Sequence, residues 1–147
     1  MAFGLTLFEQ SSYGSREHGK DWTGNSVYLW TVANATYMAL LGPNGFAELG
    51  KTILQRSHYA AKKIAEIPGV TVTWPSGFFK EFVVNFDGTK KKVSQINKSL
   101  LAKKIFGGKD LSKDFPNLGE SALYCVTEIH TLEDLDALVS ALKEVTK

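Results

Sequence analysis

The sequence predicts an α/β (α+β) fold of two layers, a small sheet covered by helices. Three observations predict it. Segments with apolar residues spaced by three and four alternate with short β-rich runs, in the order helix, helix, strand, strand, helix, strand, helix. Recognisable stops and starts separate them: Gly42-Pro43, Pro68-Gly69, Asp87-Gly88 and the cap residue Thr131. The chain has 147 residues, which suits one domain. A domain of about 150 residues buries roughly 68–70% of its unfolded surface, so neither a disulfide nor a metal is needed to hold it together.

In chain order, residues 3–8 read as a short extended run and residues 10–25 as a loop. That loop holds "SREHGKDWTGNS" (residues 15–26), dense in charged and polar side chains and without apolar periodicity. Asn25 or Ser26 is placed to cap the helix that follows, because either side chain accepts from free N–H groups of a first turn. The division expected is an N-terminal extended segment and loop, residues 1–24, and a C-terminal α/β domain, residues 25–147.

The first helix, "VYLWTVANATYMALL", is apolar on nearly every side and is expected to be buried on most faces. It stops at Gly42-Pro43, and Pro43 opens a second helix at a favoured first-turn position. The inner stripe of that second helix is Phe46, Leu49, Ile53, Ala60, Ile64 and Ile67. Residues 70–74 are β-rich, and "WPSG" (residues 74–77) is the nearest thing to a linker. Residues 81–86, with "FVVNF" at their centre, are the second β-rich run, and Asp87-Gly88 turns the chain. A third helix over residues 93–104 points Val93, Ile96, Leu100 and Leu101 inward. A glycine loop, "FGGKDLSKDFPNLG", leads to the strand "ALYCVTEI" (residues 122–129), in which Cys125 reads as a packed core thiol. Thr131 caps the last helix with Asp134 three residues on, a capping-box arrangement. Leu135, Leu138, Val139, Leu142 and Val145 form its inner face.

Composition narrows the function classes. A net charge of +2 gives no strong pull towards nucleic acid or an acidic membrane. Lys90, Lys91, Lys92, Lys98, Lys103, Lys104, Lys109 and Lys113 gather around one helix. They read as a solvated face or as a site for an anion or acidic partner, and no aromatic stacking pattern accompanies them for nucleic acid. The most apolar segment is shorter than the about 20 residues that span a bilayer, so no membrane partner is expected. The first ten residues lack the basic region and apolar core of a signal peptide. A single cysteine excludes an internal disulfide and suits a reducing, cytoplasmic compartment. His18, His58 and His130 have no metal-ligand spacing, and His130 reads as structural. No Ser-His-Asp or Cys-His nucleophilic set is present. Gly107-Gly108 before Lys109-Asp110 is neither a P-loop nor a dinucleotide fingerprint. It reads as a turn at positive φ, or as a close approach of backbone to a ligand or partner subunit.

These residues alone do not name an activity. The stretch "LLAKKIFGGKDLSKDFPNLGESALYCVTEIHTLEDLDALVSAL" (residues 100–142) resembles the C-terminal end of glycine dehydrogenase (decarboxylating) subunit 1, one half of the two-subunit P-protein of the glycine cleavage system. So do "QRSHYAAKKIAEIPGV" (residues 55–70), "FFKEFVVNF" (residues 78–86) and "VSQINKSLLAKK" (residues 93–104). The opening loop departs from the family. The usual pattern is close to R-E-K-A-T-S-N. Arg16-Glu17 fits it, and "HGKDWTGN" does not.

The resemblance implies the small C-terminal domain of a type I pyridoxal-phosphate-dependent transferase fold. It implies pyridoxal phosphate in the full enzyme, with the Schiff-base lysine on a partner, glycine dehydrogenase subunit 2. It also implies transfer of the aminomethyl group of glycine to a lipoyl-carrying H-protein. A chain of this length has no room for the cofactor domain, so it is expected to be inactive alone, with no catalytic residue assigned. Arg16, Lys20, Thr23, Gly24 and Asn25 become candidates for contacts around the cofactor or the partner subunit. Gly107, Gly108, Lys109 and Asp110 become the candidate partner or active-site loop. A free-standing protein-binding or regulatory module without a catalytic role stays open beside this reading.

Overall fold

The computed structural model of the protein describes residues 27–147. The extended run, the polar loop, its cap residues and the candidates Arg16, Lys20, Thr23, Gly24 and Asn25 lie outside the described residues. The chain falls into two compact units, Met1–Phe46 and Ala47–Lys147.

Helix α1 (Val27–Ala65) is broken at Gly42, whose φ of 59° and ψ of −177° are not helical, and Pro43 restarts it. This is the stop and start the sequence predicts. In the first unit, the expectation of burial fails. Leu29, Trp30 and Leu40 are 80%, 72% and 81% exposed, and Tyr28, Val32, Tyr37 and Met38 are also at the surface. The side chains are apolar all round, but the described residues of that unit offer them no second layer. Tyr37 and Phe46 meet edge to face at 6.4 Å, and Phe46, expected inside, is exposed.

In the second unit, Ile53, Ala60, Ile64 and Ile67 are buried as the stripe predicts. Strands β1 (Thr71–Val72), β2 (Glu81–Asn85), β3 (Lys109–Asp110) and β4 (Ser121–Cys125) form one antiparallel sheet in the order β1-β2-β4-β3. The expected strand over residues 122–129 stops at Cys125. Phe82 pairs with Tyr124 and Val84 with Ala122. All four are buried together with residues of α1, α2 (Val93–Ala102) and α3 (Leu132–Val145), so the core lies between the sheet and the helices. The small sheet covered by helices is therefore present.

Side-chain periodicity settles two other positions, by alternation on a strand and by the helical repeat on α2. Ala122 and Tyr124 face the core, so Cys125 falls on the opposite face and is exposed. This corrects its reading as a core thiol. On α2, Val93, Ile96 and Leu100 form the buried line. Leu101 is one residue round from it and is 56% exposed.

Polar side chains fix the layers. The Tyr59 hydroxyl donates to Asp136 Oδ1 at 2.7 Å, joining α1 to α3, and this hydrogen bond holds its pKa above the usual phenol value. Buried Ser57 donates to the Phe79 carbonyl at 2.6 Å. The N–H of Val93, at the start of α2, donates to Glu120 Oε2 at 2.9 Å. The N–H of Glu120 in turn donates to Asp87 Oδ1 at 2.9 Å, and Asn85 Nδ2 donates to Asp87 Oδ2 at 2.9 Å. These two bonds, that of Asn85 first, lower the pKa of Asp87. The predicted Thr131–Asp134 capping box is formed, with N–H of Asp134 donating to Thr131 Oγ1 and N–H of Thr131 donating to Asp134 Oδ2. Hydrogen bonds from Thr131, its N–H first, lower the pKa of Asp134.

Candidate functional site around the glycine strand

The glycine segment begins where α2 ends. Lys104 N–H donates to the Leu101 carbonyl at 2.9 Å and Ile105 N–H to the Leu100 carbonyl at 3.0 Å. This is the double-bonded helix stop that places a left-handed residue just past the C-cap, a position usually taken by glycine. Here it is Lys104, with φ 61°. A Cβ in that conformation costs roughly 1–2 kcal/mol. Lys104→Gly is therefore expected to raise stability by about 1 kcal/mol, after glycine's own entropic cost. A urea titration reads the change. An unchanged or lower midpoint would show that the lysine stem contributes packing that offsets the strain.

Phe106 follows and is 88% exposed. Gly107 and Gly108 then lie in close contact with the rest of the chain. A Cβ on Gly107 would stand 2.0 Å from Asn97 Oδ1, and one on Gly108 would stand 2.7 Å from the Tyr124 ring and 2.9 Å from the Leu123 carbonyl oxygen. Neither is among the positive-φ residues, which corrects the turn reading. Asn97 Nδ2 donates to the Gly108 carbonyl at 2.8 Å. The next two residues, read from sequence as loop, are the edge strand β3, paired with Leu123 and Ala122 of β4. Asp110 Oδ1 accepts from the Ser112 N–H at 2.9 Å and from its hydroxyl at 2.6 Å, and Lys109 Nζ lies 3.7 Å from Asp114.

Gly108→Ala is thus expected to cost about 1–3 kcal/mol, the usual range for overpacking. The carbonyl of Leu123 is held in the sheet and cannot swing aside as a flexible side chain would. A thermal melt within 1 °C of the unsubstituted chain would refute this packing account.

A cavity of about 510 Å³ opens beside the segment. Lys104, Phe106, Gly107 and Gly108 form one wall, Tyr124 and Val126 another, and His130, Asp134, Leu135 and Leu138 the side made by the start of α3. Tyr124 is 5% exposed and its hydroxyl makes no hydrogen bond. Burial pushes its pKa up to about 12, opposed in part by the Gly108 backbone nearby. His130 Nδ1 accepts the Thr127 N–H at 3.0 Å, which fixes the ring. Reading the sequence missed Tyr124 and Asn97 as members of this site. The signal was present only as two adjacent glycines, which say that something approaches but not what.

Among the described residues no three His, Cys, Asp or Glu side chains converge on a metal position. His58 stacks on Phe78 at 4.2 Å, and its Nε2 lies 3.1 Å from the Phe78 carbonyl oxygen. Among the described residues no lysine is placed in a buried pocket that would favour a Schiff base with pyridoxal phosphate. None of their lysines is buried. Of the two half-buried ones, Lys63 pairs with Glu66 and Lys91 donates to the Val145 carbonyl. No described helix is long and apolar enough to cross a membrane.

Known proteins place this geometry. No protein-family model matches the chain. Individual proteins do. A probable glycine dehydrogenase (decarboxylating) subunit 1 from Staphylothermus marinus is 44% identical over 117 residues, 80% of this chain and 25% of that protein. The subunit of the same name from Desulfitobacterium hafniense is 35% identical over 96% of this chain and 31% of its own length. That from Saccharolobus solfataricus is 37% identical over all 147 residues and 30% of its own length. The chain is homologous to part of glycine dehydrogenase (decarboxylating) subunit 1. It spans a quarter to a third of the length of these glycine dehydrogenase subunits.

The crystal structure of glycine decarboxylase (P-protein) of the glycine cleavage system, in inhibitor-bound form, agrees. It superposes with a TM-score of 0.74 at 30% identity, over 95% of this chain and 31% of that one. The small antiparallel sheet with its helices is thus a domain of the pyridoxal-phosphate-dependent transferase fold to which glycine decarboxylase belongs.

Proposed function

We propose that the chain is the C-terminal part of the non-lysine subunit of a cytoplasmic glycine dehydrogenase (decarboxylating). Subunit 2 supplies the lysine that holds pyridoxal phosphate, and the assembled enzyme decarboxylates glycine and passes the aminomethyl group to the lipoyl arm of the H-protein. The observation that carries this reading is the match of nearly the whole chain to a single stretch of subunit 1 proteins. The exposed, all-round apolar helix of the first unit supports it, because such a helix is normally buried against other structure. The cofactor supplies the electron sink for decarboxylation when bound. The part proposed for the described residues, none of whose lysines is buried, is structural and interfacial. Arg16, Lys20, Thr23, Gly24 and Asn25 are proposed to lie near the cofactor or the subunit contact. The free-standing module is not favoured, since the homologues are enzyme subunits.

The test is reconstitution. A full-length subunit 1 carrying this segment is expected to assemble with subunit 2. With pyridoxal phosphate and H-protein, it is expected to release carbon dioxide from carboxyl-labelled glycine. The 147-residue chain alone is expected to do neither, and to form no borohydride-fixable lysine adduct with the cofactor. Failure of the full-length pair to assemble would overturn the reading. Lys109 tests the loop. It is exposed and its pair with Asp114 is weak, so Lys109→Ala leaves folding intact. If β3 meets subunit 2, the variant assembles poorly at unchanged stability. Normal assembly and activity would confine the glycine strand to internal packing.

A further inference from the structure

We propose that the lysine face formed by α2 and the last turn of α3 docks the acidic surface of another protein. This rests on charge and geometry within Ala47–Lys147 and not on the subunit assembly. Between Asp87 and Asp110 the chain has seven lysines and no acidic residue. The fold gathers more beside them. Lys91 Nζ donates to the Val145 carbonyl at 2.9 Å, and Lys103 Nζ pairs with Glu144 at 2.8 Å. The end of α3 therefore meets lysines that flank α2 on both sides. Lys143 belongs to that last turn of α3. Lys103 first, and then Lys147, lower the pKa of Glu144, which puts Lys147 on the same face. Lys90 and Lys92 adjoin Lys91 in sequence, and Lys98 is exposed midway along α2.

Part of this charge has a use inside the chain. Lys91, Lys143 and Lys147 suit the negative end of α3, and Lys103 holds Glu144. Lys90, Lys92 and Lys98 have no ion-pair partner among the described residues. Lys92 is also at the unfavourable end of its helix. It is the N-cap of α2, where the helix dipole favours an acid, and the first turn of α2 holds no acidic residue. Two acids touch the face, and both are engaged. Glu120 accepts the Val93 N–H at 2.9 Å, and Glu144 holds Lys103. With both counted, these seven lysines give the face +5 on a chain of net charge +2, so the rest of the chain carries −3. A solvated surface ordinarily intersperses the two signs. Here the signs are separated, at a cost to the start of α2, and a partner of opposite charge gives that separation a use.

The residue type selects the partner. The face holds lysines and no arginine, the side chain whose planar fork matches phosphate bidentately. The sequence of α2 has no aromatic residue on which a base could stack. Lysine is a flexible, strongly hydrated point charge. Exposed pairs between such charges and carboxylates are individually weak but steer encounter and speed association. The partner is thus a protein with a carboxylate-rich face that docks transiently.

The experiment titrates the 147-residue chain with an oligoglutamate peptide, with the same peptide carrying glutamine throughout, and with a single-stranded DNA oligonucleotide of equal charge. Calorimetry and amide chemical shifts follow each titration. The glutamate peptide is expected to bind saturably at about 50 mM salt and at least tenfold more weakly at about 200 mM, where exposed charges are screened. Its shifts should fall at Lys92, Lys98 and Lys147. Lys92→Glu with Lys98→Glu should weaken it about tenfold. Lys51→Glu with Lys62→Glu, on α1, makes the same change in net charge and should alter it less than twofold. Lys92→Glu alone should raise the urea midpoint, because it puts an acid at the start of α2. Loss of binding is then not loss of fold. The proposal is overturned if the glutamate peptide does not saturate, if the glutamine peptide matches it, or if the α1 pair weakens it as much as the α2 pair. Tighter binding of the oligonucleotide, lost in the Lys92 and Lys98 variant, would replace the protein partner by a nucleic acid.

Discussion

Phe86→Ala is expected to remove about 3–5 kcal/mol of stability, the range measured for truncating a fully buried aromatic. Phe86 is 0% exposed and is the largest of the fully buried side chains. It sits just past β2, within the cluster that joins Ile64 of α1, Val93 and Ile96 of α2, and Leu142 of α3. Its backbone is tied independently of its ring. Its N–H donates to the Glu120 carbonyl at 2.8 Å, and its carbonyl accepts from the N–H and hydroxyl of Thr89, each at 2.8 Å. The truncation therefore leaves the hydrogen bonds in place and opens a cavity that elements pinned on all sides cannot collapse to fill. A domain of this size has only about 5–15 kcal/mol in total, so the variant should sit close to its unfolding midpoint in water. Urea titration of both chains at matched m-values measures the loss. A difference under about 1.5 kcal/mol would mean that the site repacks around the gap, at odds with this tie of the layers.

The helical part of this core was legible in the sequence because helix signals are local. Thr131 and Asp134 announce the start of α3 three residues apart, and the box is formed as read. Gly42-Pro43 announces the break in α1. Ile53, Ala60, Ile64 and Ile67 repeat at spacings that put them on one buried side. The sheet was less legible because its determinants are pairings. Lys109 and Asp110 have poor strand propensity, and only their partners in β4 make them a strand. In "ALYCVTEI" every residue from Ala122 to Val126 suits a strand interior. The phase of the alternation therefore could not be read, and Cys125 was assigned to the wrong face. The apolar helix of the first unit failed for another reason. Periodicity reports which surfaces seek cover, not whether the same chain supplies it.

The candidate site was half visible. Two adjacent glycines marked the segment, and the reading of close backbone approach was sound in kind. The approach is to the chain's own Asn97, ten residues before Gly107, and Tyr124, sixteen residues after Gly108. No short-range pattern encodes such a contact. Asn97 lies on the exposed side of a helical stripe by spacing alone, and Tyr124 reads as one more apolar strand residue. The cavity they help to wall exists only once α2, β4 and α3 are assembled.

Gly69→Ala is expected to destabilise by roughly 2–5 kcal/mol, from two causes that a second substitution separates. Gly69 has φ +78°, a conformation in which a Cβ costs about 1–2 kcal/mol. Its Cβ would also stand 2.7 Å from the carbonyl oxygen of Gly88, and one on Gly88 would stand 2.7 Å from the carbonyl oxygen of Gly69. The sequence marks these two glycines only as a helix stop and a turn. The structure brings their backbones together, and this contact lets the chain leaving α1 run beside the turn after β2. Pairing of Thr71 with Asn85 and of Val72 with Val84 begins directly beyond it. Neither obstacle is a side chain that can move aside, so relief requires β1 to shift away from β2. Gly88 is not at positive φ. Gly88→Ala therefore carries only the steric part, about 1–3 kcal/mol. The difference between the two variants measures the conformational part. Because both substitutions push apart the same pair of backbones, the double variant should lose less than the sum of the two. Amide exchange should show the loss concentrated at Thr73 N–H, which donates to the Val83 carbonyl at 3.0 Å where β1 meets β2. A Gly69→Ala chain within about 0.5 kcal/mol of the unsubstituted one, the scatter of ordinary surface substitutions, would show that the two backbones are not in contact in solution.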